Sequence, residues 1–160
     1  MRRMTVIVLI LLAAGCGSKP SPPPSAHPDT CKQSDGPTPQ VVRQAIAAVP
    51  IDVAGTNWVE IGRGHTTNCR MWWVQIIPTI AGESTPQQVV FFDHNVSLGT
   101  PTVNPKPYIT VLPPSSDTVT VEYRWQKGND QPCCPSGSGT VKFQIGADGR
   151  LKTLGKIPNQ

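Results

Sequence analysis

The chain has 160 residues, 15% of them charged and 38% hydrophobic, and its 18 prolines and 14 glycines make up a fifth of it. This is the length of one soluble domain with an appendage, which excludes multi-domain enzymes, long coiled coils and polytopic membrane proteins. The net charge of +4 falls to +2 once Arg2 and Arg3 are set aside, so no basic field remains that could hold nucleic acid.

Residues 1–15 read as a lipoprotein signal peptide. Arg2 and Arg3 supply the positive start, residues 6–12 (VIVLILL) an uninterrupted apolar run, and Ala13, Ala14 and Gly15 the small residues before Cys16. The run is too short to cross a bilayer as a helix. Small residues followed directly by cysteine resemble the bacterial lipobox. There the thiol receives a diacylglyceryl group, the peptide before it is removed and the new N-terminus takes a further acyl chain such as palmitate. Each buried methylene contributes about 0.8 kcal/mol, so two or three chains on Cys16 hold a protein lastingly at a membrane. The departure from the usual pattern is Ala13, where the lipobox ordinarily has Leu.

Residues 16–30 read as a lipid-anchored, Pro-rich tether. The stretch 17–28, GSKPSPPPSAHP, has almost nothing to bury and favours extended polyproline geometry, a spacer of roughly 40 Å. His27 lies within it and is expected to be solvated.

Residues 31–160 form the domain. Thr38 can cap a helix that begins at Pro39, with Val42, Ala45, Ile46 and Val49 at helical spacing and Pro50 as the stop, about eleven residues in all. Segments 57–61, 70–77, 87–92, 108–112, 118–126 and 140–145 are then β-rich and bounded by Gly, Pro, Asn or Asp. In DTVTVEYRWQ, Val119, Val121, Tyr123 and Trp125 share one face; Val141, Phe143 and Ile145 repeat the alternation. The expected fold is α+β: one N-terminal helix packed on a mainly antiparallel sheet of about six strands, dry on one face and wet on the other. Asp93-His94-Asn95 and residues 146–149 are short enough for hairpin loops leading to Val96-Ser97-Leu98 and Leu151. The Pro-rich stretch 99–106 is expected to run over the surface.

The lipobox and tether, followed in order by RQAIAAVP, NWVEIGRGHTTNCRMWWVQIIPT, STPQQVVFFDHNVSLGTPT, NPKPYITVL, DTVTVEYRW and CCPSGSGTVKF, resemble the LppP/LprE lipoproteins of mycobacteria and related actinobacteria, the LppP branch above all. The resemblance runs from about residue 30 to residue 158. It implies a secreted lipoprotein of the cell envelope, anchored to the cell membrane on its extracytoplasmic side, and it brings no activity and no functional residues with it. The family's tight Asp-Gly turn is replaced here by Asp93-His94-Asn95.

With Cys16 committed to lipid, Cys31, Cys69, Cys133 and Cys134 remain, an even set with three pairings in an oxidising compartment. Neighbouring α-carbons lie about 3.8 Å apart, below the usual disulfide range, so geometry alone sends Cys133 and Cys134 to Cys31 and Cys69. Against this, Cys31 ahead of the helix and Cys69 at the opening of a long strand are well placed to pin helix to sheet. The reading leans to Cys31–Cys69, which leaves the vicinal pair strained or reduced.

No cofactor and no metal are expected. His65 and His94 fall in separate loops without ligand spacing. There is no G-x-S-x-G elbow, no phosphate loop and no C-x-x-C, and Gly137-Ser138-Gly139 reads as a hairpin connection. Arg63, His65 and Arg70 lie near Trp72 and Trp73, which point to opposite faces of a strand, one packing under the helix and the other outward. Such a surface suits an envelope protein, lipid or glycan. The favoured function is a non-catalytic binding or structural module. The alternatives are a carrier of lipid or another apolar ligand, which needs a cavity between helix and sheet, and a thiol-redox protein using Cys133 and Cys134.

Overall fold

The computed structural model describes residues 29–51 and 54–158, so the signal segment, Cys16, His27 and nearly all of the tether lie outside the described residues. A single 3-10 turn over Gln33–Asp35 leads into helix α1, Pro39–Ala47. Thr38 caps it as expected, its hydroxyl accepting the Val41 N–H at 3.4 Å. The helix is shorter than the apolar spacing suggests. Ala48 and Val49 close it with N–H bonds to Gln44 and Ile46, because the residue before Pro50 is barred from helical backbone. Val49 still reaches the core at 8% exposure. None of the described helices is long and apolar enough to cross a membrane.

Eight strands follow: β1 Trp58–His65, β2 Met71–Pro78, β3 Gln88–Asp93, β4 Val96–Gly99, β5 Ile109–Val111, β6 Thr118–Trp125, β7 Gly137–Ile145 and β8 Leu151–Leu154. They form two antiparallel meanders of four, β1-β2-β3-β4 and β5-β6-β7-β8. The expected single sheet of about six strands is therefore corrected to two sheets, and the two hairpin returns, at Val96 and Leu151, are the added strands. Helix and strands in one α+β domain are as expected.

The first sheet is dry on both faces, contrary to expectation. Pairing of Trp72 with Phe92 and Val74 with Val90 puts these residues and Ile76 on the helix side, where Val42 and Val49 meet them. Met71, Val89 and Phe91 face the second sheet and meet Ile109, Val119, Val121, Tyr123, Val141 and Phe143. The layers are helix, first sheet, second sheet. The reason is visible in MWWVQII and VVFF, where apolar residues occupy consecutive positions and so load both faces of a strand. Alternation in β6 and β7 describes the second sheet alone.

Side chains tie the layers together. Phe91 and Phe143 rings lie 5.2 Å apart, and Gln75 Nε2 donates to the Ile109 carbonyl at 3.2 Å. Buried Gln88 is matched by Thr102, whose carbonyl accepts from Gln88 Nε2 at 2.8 Å, so this polar pair costs little in the core. At the β3–β4 hairpin the left-handed residue is His94, with φ of 49°. This turn also seats the helix: Asn95 Oδ1 accepts the Thr38 N–H at 2.8 Å, and His94 Nδ1 lies 2.9 Å from the Asp35 carbonyl.

A sheet buried on both faces predicts that Phe91→Ala and Phe92→Ala each destabilise the domain by about 3–5 kcal/mol in urea unfolding. A sheet with one wet face would tolerate one of the two.

Candidate binding site

β1 is the open edge of the first sheet, and its last four residues, Gly62 to His65, alternate glycine with a polar side chain. The alternation serves Trp73. On the face toward the second sheet, Trp73 pairs with Gly64, and its indole lies over both glycines. A Cβ on Gly64 would stand 2.8 Å from the ring and one on Gly62 3.7 Å from it. Side chains are absent from that stretch of β1 because the tryptophan covers it. Trp73 is half-buried, and its Nε1 is enclosed without a hydrogen-bond partner among the described residues.

On the opposite face His65 pairs with Trp72, their ring centroids 4.4 Å apart. Trp72 is buried against Gly36, where a Cβ would come within 2.6 Å of its ring, and it donates Nε1–H to the Cys69 carbonyl at 2.9 Å. Arg63 projects from the same side of β1 and forms a two-point ion pair with Glu60.

The chain entering the domain runs past the end of β1. Asp29 accepts the Cys31 N–H at 3.0 Å and lies 3.1 Å from His65 Nε2. The Cys31 amide above all, then His65, holds the Asp29 carboxyl below its usual range. Two adjoining hollows of about 320 and 680 Å³ open here, both walled by Asp29, Cys31, Arg63, Gly64, His65 and Trp73. Thr67 and Pro114 close the larger one.

Of the residues singled out in the sequence, Arg63, His65, Trp72 and Trp73 are brought together. Arg70 is not: it makes a two-point pair with Asp93, at 2.8 and 3.2 Å, and borders a separate small hollow. His65 sits in strand β1 and not in a loop, while His94 is in a turn as expected. Of the tryptophans, Trp72 packs toward the helix and Trp73 is the more exposed. Asp29, assigned to the tether by its sequence, is part of the cleft. The signal available was its position two residues before Cys31, the spacing of an Asx turn. Gly64, Thr67 and Pro114 carried no comparable signal.

Cys31 and Cys69 are bonded, with α-carbons 5.4 Å apart, closing 38 residues and fixing the start of the domain to the β1–β2 turn. Cys133 and Cys134 are joined to each other, their α-carbons 3.8 Å apart, so the pairing follows the lean to Cys31–Cys69 and not the one that α-carbon spacing alone favoured. Both are exposed on the β6–β7 loop. That loop is held from within by Asp130, which accepts the Lys127 and Ser136 N–H groups at 2.8 and 2.7 Å. Tyr108 and Arg124 brace it from outside, donating to the Pro132 and Pro135 carbonyls. Gly137-Ser138-Gly139 belongs to strand β7, not to a connection, because the Trp125 ring occupies the space above Gly137.

Asp29, Cys31 and His65 place ligand-type atoms within 4.8 Å of one another. The Cys31 sulfur is consumed by the disulfide, leaving a carboxylate and an imidazole already paired, short of the four ligands of a structural zinc site.

Replacing Cys31 and Cys69 together by alanine is expected to cost about 4 kcal/mol of stability in the chain-entropy account, read by denaturant unfolding. Because the folded Asp29 pKa is depressed, its hold on the Cys31 amide persists above the ordinary carboxylate range and is lost as pH falls through the lowered value. The Cys31 amide resonance should therefore titrate with a midpoint below 3.8. A midpoint at or above that value would show Asp29 detached from the domain.

The family model described as LppP/LprE lipoprotein matches residues 63–148, which span β1 to the β7–β8 turn and include the cleft's Arg63, His65, Trp72 and Trp73. Proteins carrying the lipoprotein name LppP in Mycobacterium bovis and Mycobacterium tuberculosis are 66% identical over 148 residues, 92% of this chain and 85% of each relative. No solved structure matches. With more than half of the chain inside the family model and two-thirds identity to mycobacterial relatives along most of its length, the chain belongs to the LppP/LprE lipoprotein family.

Proposed function

We propose that the protein is a non-catalytic binding module of the cell envelope, held at the membrane through lipid on Cys16 and recognising its partner with the cleft at the end of β1. The observation that carries this reading is the placement of the cleft. Asp29, Thr30 and Cys31, the residues through which the domain joins the tether, are themselves part of its wall. A ligand bound there is held within the reach of the tether, roughly 40 Å from the membrane.

The form of the cleft agrees with recognition without chemistry. Its wall is largely apolar, with an aromatic ring and a few polar groups, the usual make-up of a ligand site. Its polar groups are engaged, Arg63 with Glu60 and Asp29 with the Cys31 N–H and His65. For a lipid carrier the space between helix and sheet would have to be open, whereas Val42, Trp72, Val74, Ile76, Val90 and Phe92 fill it.

Two measurements test the proposal on full-length protein in its own envelope. Mass spectrometry should find acyl chains on Cys16, and Cys16→Ala should leave the membrane fraction; an unmodified Cys16 in a membrane-bound protein contradicts the anchor. A photo-crosslinking residue in place of Thr67 should give a discrete adduct absent when the same residue replaces Lys152 on β8. Equal labelling at both, or none at either, contradicts the assignment of the cleft.

A further inference from the structure

We infer that the ligand of the β1 cleft is an uncharged saccharide chain, an inference that rests on the cleft being the binding site. Three features of the site converge on this chemistry.

The first is the platform. Trp73 is held flat on the backbone of Gly62 and Gly64, and with Thr67 of the β1–β2 turn and Pro114 of the β5–β6 loop it walls a cleft of about 680 Å³. A ring so supported loses little freedom when something stacks on it, which favours binding by reducing its entropic cost. A sugar ring offers such a surface a face of C–H groups and a rim of hydroxyls. Trp73 Nε1–H, enclosed and without an acceptor among the described residues, is a donor for which a ligand oxygen supplies the missing partner.

The second is the rim. It carries an acceptor in the Asp29 carboxylate, donors in Arg63, and His65 between them; the Arg63 charge is cancelled by Glu60, and the Asp29 carboxylate is engaged by the Cys31 N–H and the His65 contact. An anionic headgroup or an acidic peptide would have to displace Glu60 from Arg63 to gain a counter-charge. A neutral polyol needs no such displacement. It uses the spare lone pairs and N–H groups that the ion pairs leave open.

The third is what the edge of β1 denies to the competing ligand class. A peptide adding as a strand requires a regular edge, and β1 changes register between Glu60 and Gly62, with Ile61 at the bulge. The Glu60–Arg63 pair stands beside that interruption. The cleft lies beyond it, at Gly64 and His65, where the regular edge runs for only the four residues from Gly62 to His65.

The test is titration of the full chain in detergent micelles with neutral oligosaccharides of three to six sugars, in both pyranose and furanose series, followed by tryptophan emission and the Trp73 indole N–H resonance. At least one is expected to bind with Kd below about 1 mM and to move that resonance. Trp73→Ala should weaken it roughly tenfold or more. Gly64→Ala, which drives a methyl group into the ring, should act in the same direction, and Lys152→Ala should leave binding unchanged. Should Trp73→Ala fail to fold, Trp73→Phe retains a ring but removes the N–H, and unaltered affinity in that variant together with an unmoved indole resonance overturns the proposal. Binding that is indifferent to both Trp73 and Gly64 overturns it too. If no oligosaccharide binds, or if anionic phospholipid vesicles bind in a Trp73-dependent way instead, while the Thr67 crosslink still forms, the saccharide is wrong and the binding module stands. If the crosslink is absent as well, both fall.

Discussion

The structure depends on β2 and β3 carrying apolar side chains on both of their faces. A sheet with that loading needs a cover on each side, and α1 supplies one while the second meander supplies the other. The glycine-bearing end of β1 is covered differently, by a side chain of the neighbouring strand β2. There Trp73 lies down on Gly62 and Gly64 and serves as the cover. The cleft is thus a consequence of how the two sheets stack: the tryptophan that seals the first sheet is also the surface left for a ligand.

A second constraint places this corner relative to the membrane. The Cys31–Cys69 disulfide ties the first residues of the domain to the β1–β2 turn, and the same turn is bonded to the β5–β6 loop through Thr67 N–H to Ser115 and Asn68 N–H to Ser116, each 3.1 Å. Entry point, edge strand and second sheet are therefore fixed around one locus. For a member of a lipoprotein family this matters, since whatever leads to an anchor must leave from that locus, beside the cleft. The vicinal Cys133–Cys134 pair stands apart on its own loop, braced by Tyr108, Arg124 and Asp130, and has no part in this arrangement.

Much of this was legible in the residues, and the failures have physical causes. Thr38-Pro39 announced the helix start, and alternation in DTVTVEYRWQ announced β6 with its buried face of Val119, Val121 and Tyr123. The placement of Cys31 ahead of the helix and of Cys69 at the opening of a long strand pointed to their bond. What the sequence concealed was layer number: VVFF and MWWVQII load both faces, yet nothing local says whether the second cover is a helix or another sheet. Glycines misled in a consistent way. Gly137-Ser138-Gly139 looked like a loop and the first strand was expected to stop at 61, before Gly62, whereas Gly62 and Gly64 lie against Trp73 and Gly137 and Gly139 against Trp125, each a tryptophan from the neighbouring strand, a relationship set by register and so invisible before the pairing is known. Asp29 was missed because its partner, His65, is 36 residues away. Arg70 was wrongly grouped with the tryptophans because Asp93, across the hairpin, claims it.

The central claim, that the cleft beside the tether root is where this lipoprotein meets its partner, is tested most directly by comparing amide hydrogen exchange of the anchored protein in isolated envelope membranes with that of the purified protein in micelles. Exchange should slow in the envelope at residues 29–33 and 62–67, around the cleft, with β8 and the Cys133–Cys134 loop unchanged. Protection confined to residues 96–101 and 149–153, on and beside β4 and β8, or no difference anywhere, would contradict the account.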